Sequence, residues 1–390
     1  MSRKPSRSTP EQFKLFHLQP QHAGQTLAKV LKSLLPESSW GQAQQWVQQR
    51  QVQVNGNLCL DPARRVTEKD VIKLWQQPLP KPVTAEQLRL PYLDEHLVVV
   101  DKPAGITSVW HREERSMPTK RRQLQPTLEE MLPLAIARAL GQNPNREPRR
   151  SGPLPRGARP RRLRDQDQPA KRWPVFPVHR LDRDTSGLML FARTRLAEQK
   201  LIRLFRDHRI ERQYWAVALG QVASQTLRSL LVRDRGDGLR GSLPENHENP
   251  TADTMAPATT DSQSMDGDEK TGQLAITHVQ LVESLGNYSI VRCRLETGRT
   301  HQIRIHLSES GHPLCGEKTY LRLRDGQVIA DDSEAPRQAL HAERLSFIHP
   351  ISGQRLDFHT PLPTDLKQWL TRLRRSIQPP SGGKPSGESG

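Results

Sequence analysis

The sequence has little cysteine, few aromatic residues and no long apolar run. Its 390 residues include three cysteines, and aromatic side chains make up 5% of the chain. Cys59, Cys293 and Cys315 form no Cys-x-x-Cys pair. A structural zinc site or a disulfide framework is therefore not expected, and three reduced thiols in a cytoplasmic protein are the simplest reading. No stretch approaches the roughly eighteen apolar residues of a membrane span. The polar start MSRKPSRSTPEQ lacks the apolar core of a signal peptide. The expectations are a cytoplasmic location and no membrane partner. A GxGxxG dinucleotide loop, a phosphate-binding P-loop and a metal-ligand spacing are also missing, so no cofactor and no metal are called for. A monomer is the simplest expectation for the assembly.

Basic charge is abundant. Lys and Arg number 59 against 42 acids, a net charge of +17. Such an excess draws polyanions through counterion release, and nucleic acid is the usual partner. The chain also holds 32 prolines, so part of it is expected to stay unpacked. Residues 146 to 172 carry nine Arg and one Lys against three acids, with five prolines. Residues 245 to 270 have the opposite sign, with seven acids and one Lys. Neither segment has an apolar period that could pack. They read as inserts, at about 142–172 and 243–272, and the first is either a tolerated loop or an extra arm on nucleic acid.

Between Thr26 and Trp75 the pattern is compact. Leu27, Val30, Leu31, Leu34 and Leu35 recur at helical spacing. Ser38 or Ser39 can cap a second helix carrying Ala43, Trp46 and Val47. In VQVNGNLCL, alternating residues flank Asn55-Gly56, a hairpin-turn pair, and DVIKLW reads as another strand. Further on, PKPVTAEQLRLP reads as a linker by its prolines, and LVVV as a short strand broken by Lys102-Pro103-Ala104-Gly105. TLEEMLPLAIARAL reads as a helix, AITHVQLVE, YSIVRCRLE, RLSFIHP and QRLDFHTP as strands, and TDLKQWLTRLRRS as a final helix.

Three segments carry charge that the hydrophobic pattern does not need: HRLDRDTSGLML, RIERQYWAVALG and LETGRTHQIRIHL. By spacing alone Asp184 is as good a site acid as Asp182. Taken singly, Tyr214 reads as a core tyrosine and Arg304 as a surface arginine. His179, His301 and His306 have Arg rather than Cys or carboxylates for company, which does not fit a zinc site.

Taken together and in order, these segments resemble the RluA-type pseudouridine synthases. The resemblance rests on DKPAG, HRLDRDTSGLMLFA, TGRTHQIRIHL with GHPLCGEKTY, and RQALHAERLSFIHP, over about residues 90 to 375 outside the inserts. Residues 14 to 76 resemble the small RNA-binding domain typified by ribosomal protein S-four. The implied fold is α+β: a pseudouridine synthase fold with a central mixed, largely antiparallel sheet flanked by helices, behind a small N-terminal α+β RNA-binding domain. The implied boundaries are a tail at 1–12, the RNA-binding domain at 13–78, a linker at 79–90, the catalytic domain at 91–376 and a tail at 377–390.

The family isomerises uridine to pseudouridine in RNA. Ribosomal RNA of the large subunit is the expected partner, and transfer RNA a possible one. By motif position Asp182 is the aspartate that acts at the ribose. Arg304 is the cation that keeps it ionised and aimed, for which a guanidinium fork is suited. Tyr214 is the pocket aromatic that lies against the uracil and can help remove the proton from its carbon 5. His179, Arg180, Arg299, His301 and Lys102 are expected on RNA near the site, with Lys29, Arg50 and Arg64 on phosphates from the N-terminal module. The sequence departs from the family at Arg212, where Lys is frequent, at Glu317, where Asp is usual, and in the loop ITSVWHREERS after DKPAG. The alternatives are a non-catalytic RNA-binding or ribosome-assembly factor and a retaining glycosidase, which needs two paired carboxylates.

Overall fold

A computed structural model describes residues 13–79, 83–110, 126–142, 172–243, 272–323 and 326–377. Both inserts lie largely, and both tails almost wholly, outside the described residues. The chain divides into two compact units, Met1–Val83 with Trp110–Pro126, and Thr84–Val109 with Thr127–Gly390.

Among the described residues, the first unit holds two α-helices and a four-stranded sheet of order β1-β4-β2-β3. Helix α1 spans Leu27–Leu34 and buries Leu27, Val30 and Leu31, the stripe set by its three- and four-residue spacing. Helix α2, Trp40–Gln48, starts at Ser39, whose Oγ accepts from the Gln42 amide while the Gln42 side chain accepts from the Ser39 amide. This reciprocal cap satisfies two backbone donors that a helix start leaves open. Strands β2 (Val52–Val54) and β3 (Asn57–Leu58) are joined by Asn55 and Gly56 at φ 53° and 77°, the positive angles that a tight hairpin demands. Strand β4, Val71–Trp75, pairs with β2 and also with β1, Phe13–His17, a strand that local pattern does not announce.

The second unit is built on an eleven-stranded sheet. Its strands are β5 (Arg89–Leu93), β6 (Leu97–Lys102), β7 (Phe176–Pro177), β8 (Ser186–Ala192), β9 (Glu211–Leu219), β10 (Gln225–Val232), β11 (Gly241–Ser242), β12 (Gln273–Leu285), β13 (Tyr288–Leu295), β14 (Leu340–Ile348) and β15 (Arg355–His359). The order is β11-β10-β12-β13-β9-β14-β8-β6-β5, with β15 on β14 and β7 on β8. The linker expected over 79–90 thus overlaps the start of this unit. Its helices are α3 (Leu128–Ala139), α4 (Arg195–Arg206), α5 (Gln302–Glu309) and α6 (Thr364–Ile377).

Every residue of β8 is buried, which is why it reads as a continuous apolar run rather than an alternating one. Its core partners include Leu97, Val99, Leu201, Leu345 and Phe347. Trp369 and Leu366 of α6 pack with Trp215 and Val217 of β9. Among the described strand pairs, only β8 and β14 run parallel, through Ser186 and Gly187 against His341 and Ala342. The backbones approach so closely that a Cβ on Gly187 would sit 2.2 Å from the Ala342 carbonyl oxygen, and Gly187 has φ 114°. Only glycine fits there. The sheet is therefore mixed and largely antiparallel.

Candidate active site

The turn that precedes β8 carries Asp182. Within it, the Thr185 amide donates to the Asp182 carbonyl at 3.2 Å. Neighbouring elements hold the turn from several sides. Ser108 Oγ donates to the Leu181 carbonyl at 2.6 Å and accepts from the Leu181 amide at 3.2 Å. The Gly105 amide donates to the Arg183 carbonyl at 2.8 Å. Arg337 Nη1 donates to the Asp184 carbonyl at 2.9 Å, and Gln338 Nε2 to Thr185 Oγ1 at 2.7 Å. Asp184 thus serves the turn through its backbone. The Asp182 side chain, not that of Asp184, faces the arginine of α5.

Lys102 corrects an expectation. It is fully buried, and its Nζ donates to the carbonyls of Pro103 at 3.1 Å, Arg183 at 2.9 Å and Thr185 at 2.7 Å. An ammonium has three donors, and here each has a carbonyl. Lys102 therefore braces the Asp182 turn and presents nothing to RNA. Burial pulls its pKa down to about 7, against the attraction of Asp184 and Asp182.

Arg304 lies on α5, one turn in from the helix start, between two carboxylates. Its Nη1 donates to Asp182 Oδ2 at 3.2 Å. Its Nε and Nη2 make a paired contact with Glu317 at 2.8 and 2.7 Å, and Nη2 also reaches Thr319 Oγ1 at 3.3 Å. Burial works against the guanidinium charge, but Glu317 and Asp182 more than offset it, and the pKa of Arg304 rises. Glu317 also accepts from the amides of Lys318 and Thr319, each at 2.9 Å. The longer acid at this position is thus fully used. It anchors the arginine from behind and leaves one edge of the fork for Asp182.

Tyr214 sits on β9 and is 6% exposed. Burial raises its phenol pKa, with Arg212 pulling the other way and Asp182 adding to the rise. The phenol is neutral at pH 7. Arg212 donates to the Glu296 carbonyl at 3.1 Å and lies 5.3 Å from the Phe205 ring centre.

These groups open on a cleft of about 470 Å³ lined by Asp182, Tyr214, Arg180, Arg299, His301 and Arg304 among others. Arg299 is half-buried and its Nε donates to the Leu274 carbonyl at 3.1 Å. His179 lines the same cleft, but its Nε2 accepts from the Leu190 amide at 2.9 Å and its ring packs on Phe205. Burial, with Arg212 nearby, lowers its pKa to about 3, so it carries no charge for a phosphate. In the first unit Lys29 is exposed and Arg64 half-buried, while Arg50 uses its Nε on the Leu79 carbonyl at 3.1 Å.

Some contributors were invisible in the sequence. Arg337 and Gln338 lie in the closing motif without an assigned task. Arg240, half-buried near Arg180, Tyr320 and Asp182, borders the acidic insert and carries no local signal.

Comparison with known proteins places the chain in a family. The model of the RNA pseudouridylate synthase family matches residues 96–309, and that of the S4 domain matches residues 25–72. The chain belongs to the RNA pseudouridylate synthase family. It is an isomerase acting on RNA. A "Ribosomal large subunit pseudouridine synthase D" of Zymomonas mobilis is 32% identical over 317 residues, 80% of this chain and 82% of the relative. The protein of the same name from Xylella fastidiosa is 30% identical over 365 residues, 90% of each. Among solved structures, "Human RNA Pseudouridylate Synthase Domain Containing 4" aligns with a TM-score of 0.49 at 20% identity, over 73% of this chain and 92% of that one. In this synthase the Asp182 turn, β9 and α5 all lie within the matched residues 96–309.

Proposed function

We propose that this synthase converts specific uridines of large-subunit ribosomal RNA to pseudouridine, acting as a cytoplasmic monomer. The observation that carries the reading is Asp182, held by Arg304 at the floor of a basic cleft beside a buried tyrosine. Support for the ribosomal substrate comes from the names of the relatives and from the S4-type module in front.

The chemistry follows from the residues. A uridine stacked in RNA must leave its stack to reach Asp182, at a cost of a few kcal/mol offset by contacts in the pocket. Tyr214, as a neutral phenol, packs against the flipped uracil. Asp182 attacks or deprotonates at the ribose while the carbon–nitrogen bond breaks and uracil departs as an anion. Arg304 donates to Asp182 Oδ2 at 3.2 Å and aims the carboxylate at the ribose. The uracil then turns and its carbon 5 bonds to the ribose as the Asp182–ribose bond breaks or the proton taken from the ribose returns, which frees the carboxylate. The hydrogen at carbon 5 leaves to water and the base nitrogen takes a proton from water. Arg180 and Arg299 meet phosphates at the cleft, and Lys29, Arg50 and Arg64 meet phosphates from the first unit.

The test is a pseudouridine map of ribosomal and transfer RNA from cells with and without the gene, complemented by wild type or Asp182→Asn. Loss of one or a few large-subunit sites, restored by wild type and not by Asp182→Asn, is expected. An unchanged map sinks the assignment. Lost sites confined to transfer RNA move the substrate. RNA binding by Asp182→Asn should match wild type.

A further inference from the structure

The carboxylate of Asp182 has two oxygens, and the reading above gives a partner to one. Arg304 takes Oδ2 at 3.2 Å. Oδ1 faces His301 Nε2 at 3.8 Å. His301 caps the start of α5 with a left-handed backbone, φ 59° and ψ 18°. That conformation is uncommon outside glycine and asparagine, and it is held where the surroundings fix it. Here it seats the imidazole between Tyr320 and Asp182.

On the far side of the ring, Nδ1 lies 2.6 Å from the Tyr320 hydroxyl. Tyr320 is 2% exposed, and its ring stands edge-on to the imidazole with centres 5.5 Å apart. Burial raises the phenol pKa to about 12 and lowers that of the imidazole, so both groups are neutral at pH 7. A neutral imidazole has one N–H and one lone pair. With the hydrogen on Nδ1, the Nε2 lone pair would face a carboxylate oxygen and repel it. With the hydrogen on Nε2, Tyr320 donates to Nδ1 and the N–H points toward Asp182. The second arrangement gives Nδ1 its hydrogen bond and turns the N–H, rather than a lone pair, toward the carboxylate.

We propose that Tyr320 and His301 are positioning residues that set the rotation of the Asp182 carboxylate. The proposal rests on the reading that Asp182 acts at the ribose. Tyr320 selects the imidazole tautomer, and the Nε2–H attracts Oδ1. At 3.8 Å this is a charge–dipole attraction and not a hydrogen bond, so Oδ1 keeps its lone pairs for the ribose. Arg304 holds the other oxygen, and between them the plane of the carboxylate is fixed. Near-attack geometry of this kind is worth large factors in rate and little in binding. His301 was expected from sequence on RNA, and the two roles differ in what they change.

The test uses the purified full-length protein on large-subunit ribosomal RNA transcript tritiated at uracil carbon 5, in single turnover at saturating enzyme, with the Kd for RNA measured alongside. Product formation releases the tritium. Tyr320→Phe keeps the ring and its contact with Arg304, 5.1 Å from the ring centre, and removes only the hydroxyl. His301→Gln places an amide N–H where Nε2 stands, and His301→Ala removes both nitrogens. Tyr320→Phe and His301→Ala should each slow the saturated rate about tenfold, the effect of losing one donor to a charged acceptor, with Kd within about twofold of wild type. His301→Gln should recover most of the rate, and adding Tyr320→Phe to it should change nothing further. A wild-type rate for Tyr320→Phe overturns the proposal. So does a loss confined to Kd, which returns His301 to RNA contact. If wild type releases no tritium, or Asp182→Asn releases it at the wild-type rate, the functional reading itself fails, and the inference falls with it.

Discussion

Glu317→Ala tests how the site is held together. Glu317 is 3% exposed and accepts five hydrogen bonds, two from Arg304 at 2.8 and 2.7 Å and three from the amides of Lys318, Thr319 and Tyr320 at 2.9, 2.9 and 3.4 Å. Truncation leaves a buried guanidinium with half its partners gone. Breaking a buried pair costs about 3–5 kcal/mol. Asp182 still faces Arg304, so the lower end, about 3 kcal/mol, is expected. That is a large part of the ~5–15 kcal/mol that keeps a domain folded. It should appear as a lower urea midpoint with an unchanged slope. Activity should fall as well, because Arg304 is then free to turn away from Asp182.

The loss carries a pH signature. Burial pushes the Glu317 carboxyl up, but the hydrogen bonds and charge of Arg304, with the backbone amides, more than reverse this, and its pKa ends below the ordinary 4.5. A lowered carboxyl pKa contributes stability that is fully present above the unfolded value and is lost as pH falls through the folded one. The gap between wild type and Glu317→Ala should therefore be widest at neutral pH and close in acid, below about pH 4.5. Urea titrations at pH 7 and at pH 3 to 4 read both. A gap under about 0.5 kcal/mol at pH 7, within the range of ordinary surface changes, refutes the reasoning. A gap that stays constant into acid refutes the ionic part of it.

Other outcomes follow from the same geometry. Gly187→Ala should destabilise the synthase by more than about 3 kcal/mol or prevent folding, because the new methyl meets the Ala342 backbone at 2.2 Å at a positive φ. Soluble expression and a thermal melt decide this, and a wild-type melt would mean that β8 and β14 stand further apart. Lys102→Met should cost about 3 kcal/mol by taking a donor from the buried carbonyls of Pro103, Arg183 and Thr185, of which Arg183 keeps the Gly105 amide. RNA affinity should hardly change, and a drop in affinity with unchanged stability would restore Lys102 to RNA contact. Deleting the arginine-rich insert should flatten the salt dependence of RNA affinity if that arm meets phosphates, and an equal slope would make it a tolerated loop.

The sequence by itself determined what depends on neighbours in the chain. The stripe of Leu27, Val30 and Leu31, the Ser39 cap and the Asn55-Gly56 turn are local, and helix period, capping and positive φ can be read from adjacent residues. Asp182, Tyr214 and Arg304 were marked only by the resemblance of their ordered motifs to the family, since spacing alone left Asp184 as good an acid as Asp182 and gave Tyr214 and Arg304 ordinary readings. Strand β1 stayed hidden because its five residues FKLFH become a strand only by pairing with β4, more than fifty residues on. Helix α4 stayed hidden because charge dominates its surface and, of its twelve residues, only Ala197 and Leu201 are buried. The direction in which a charge points was also out of reach. Lys102 in DKPAG reads as a cation available to RNA, yet the fold turns it onto three carbonyls from segments about eighty residues apart. Glu317 reads as a departure in a turn, and only the packing of α5 against that turn makes it the second partner of Arg304. Residue chemistry sets what a side chain can do. Burial and long-range contact, which only the tertiary structure supplies, decide which of those options is left open.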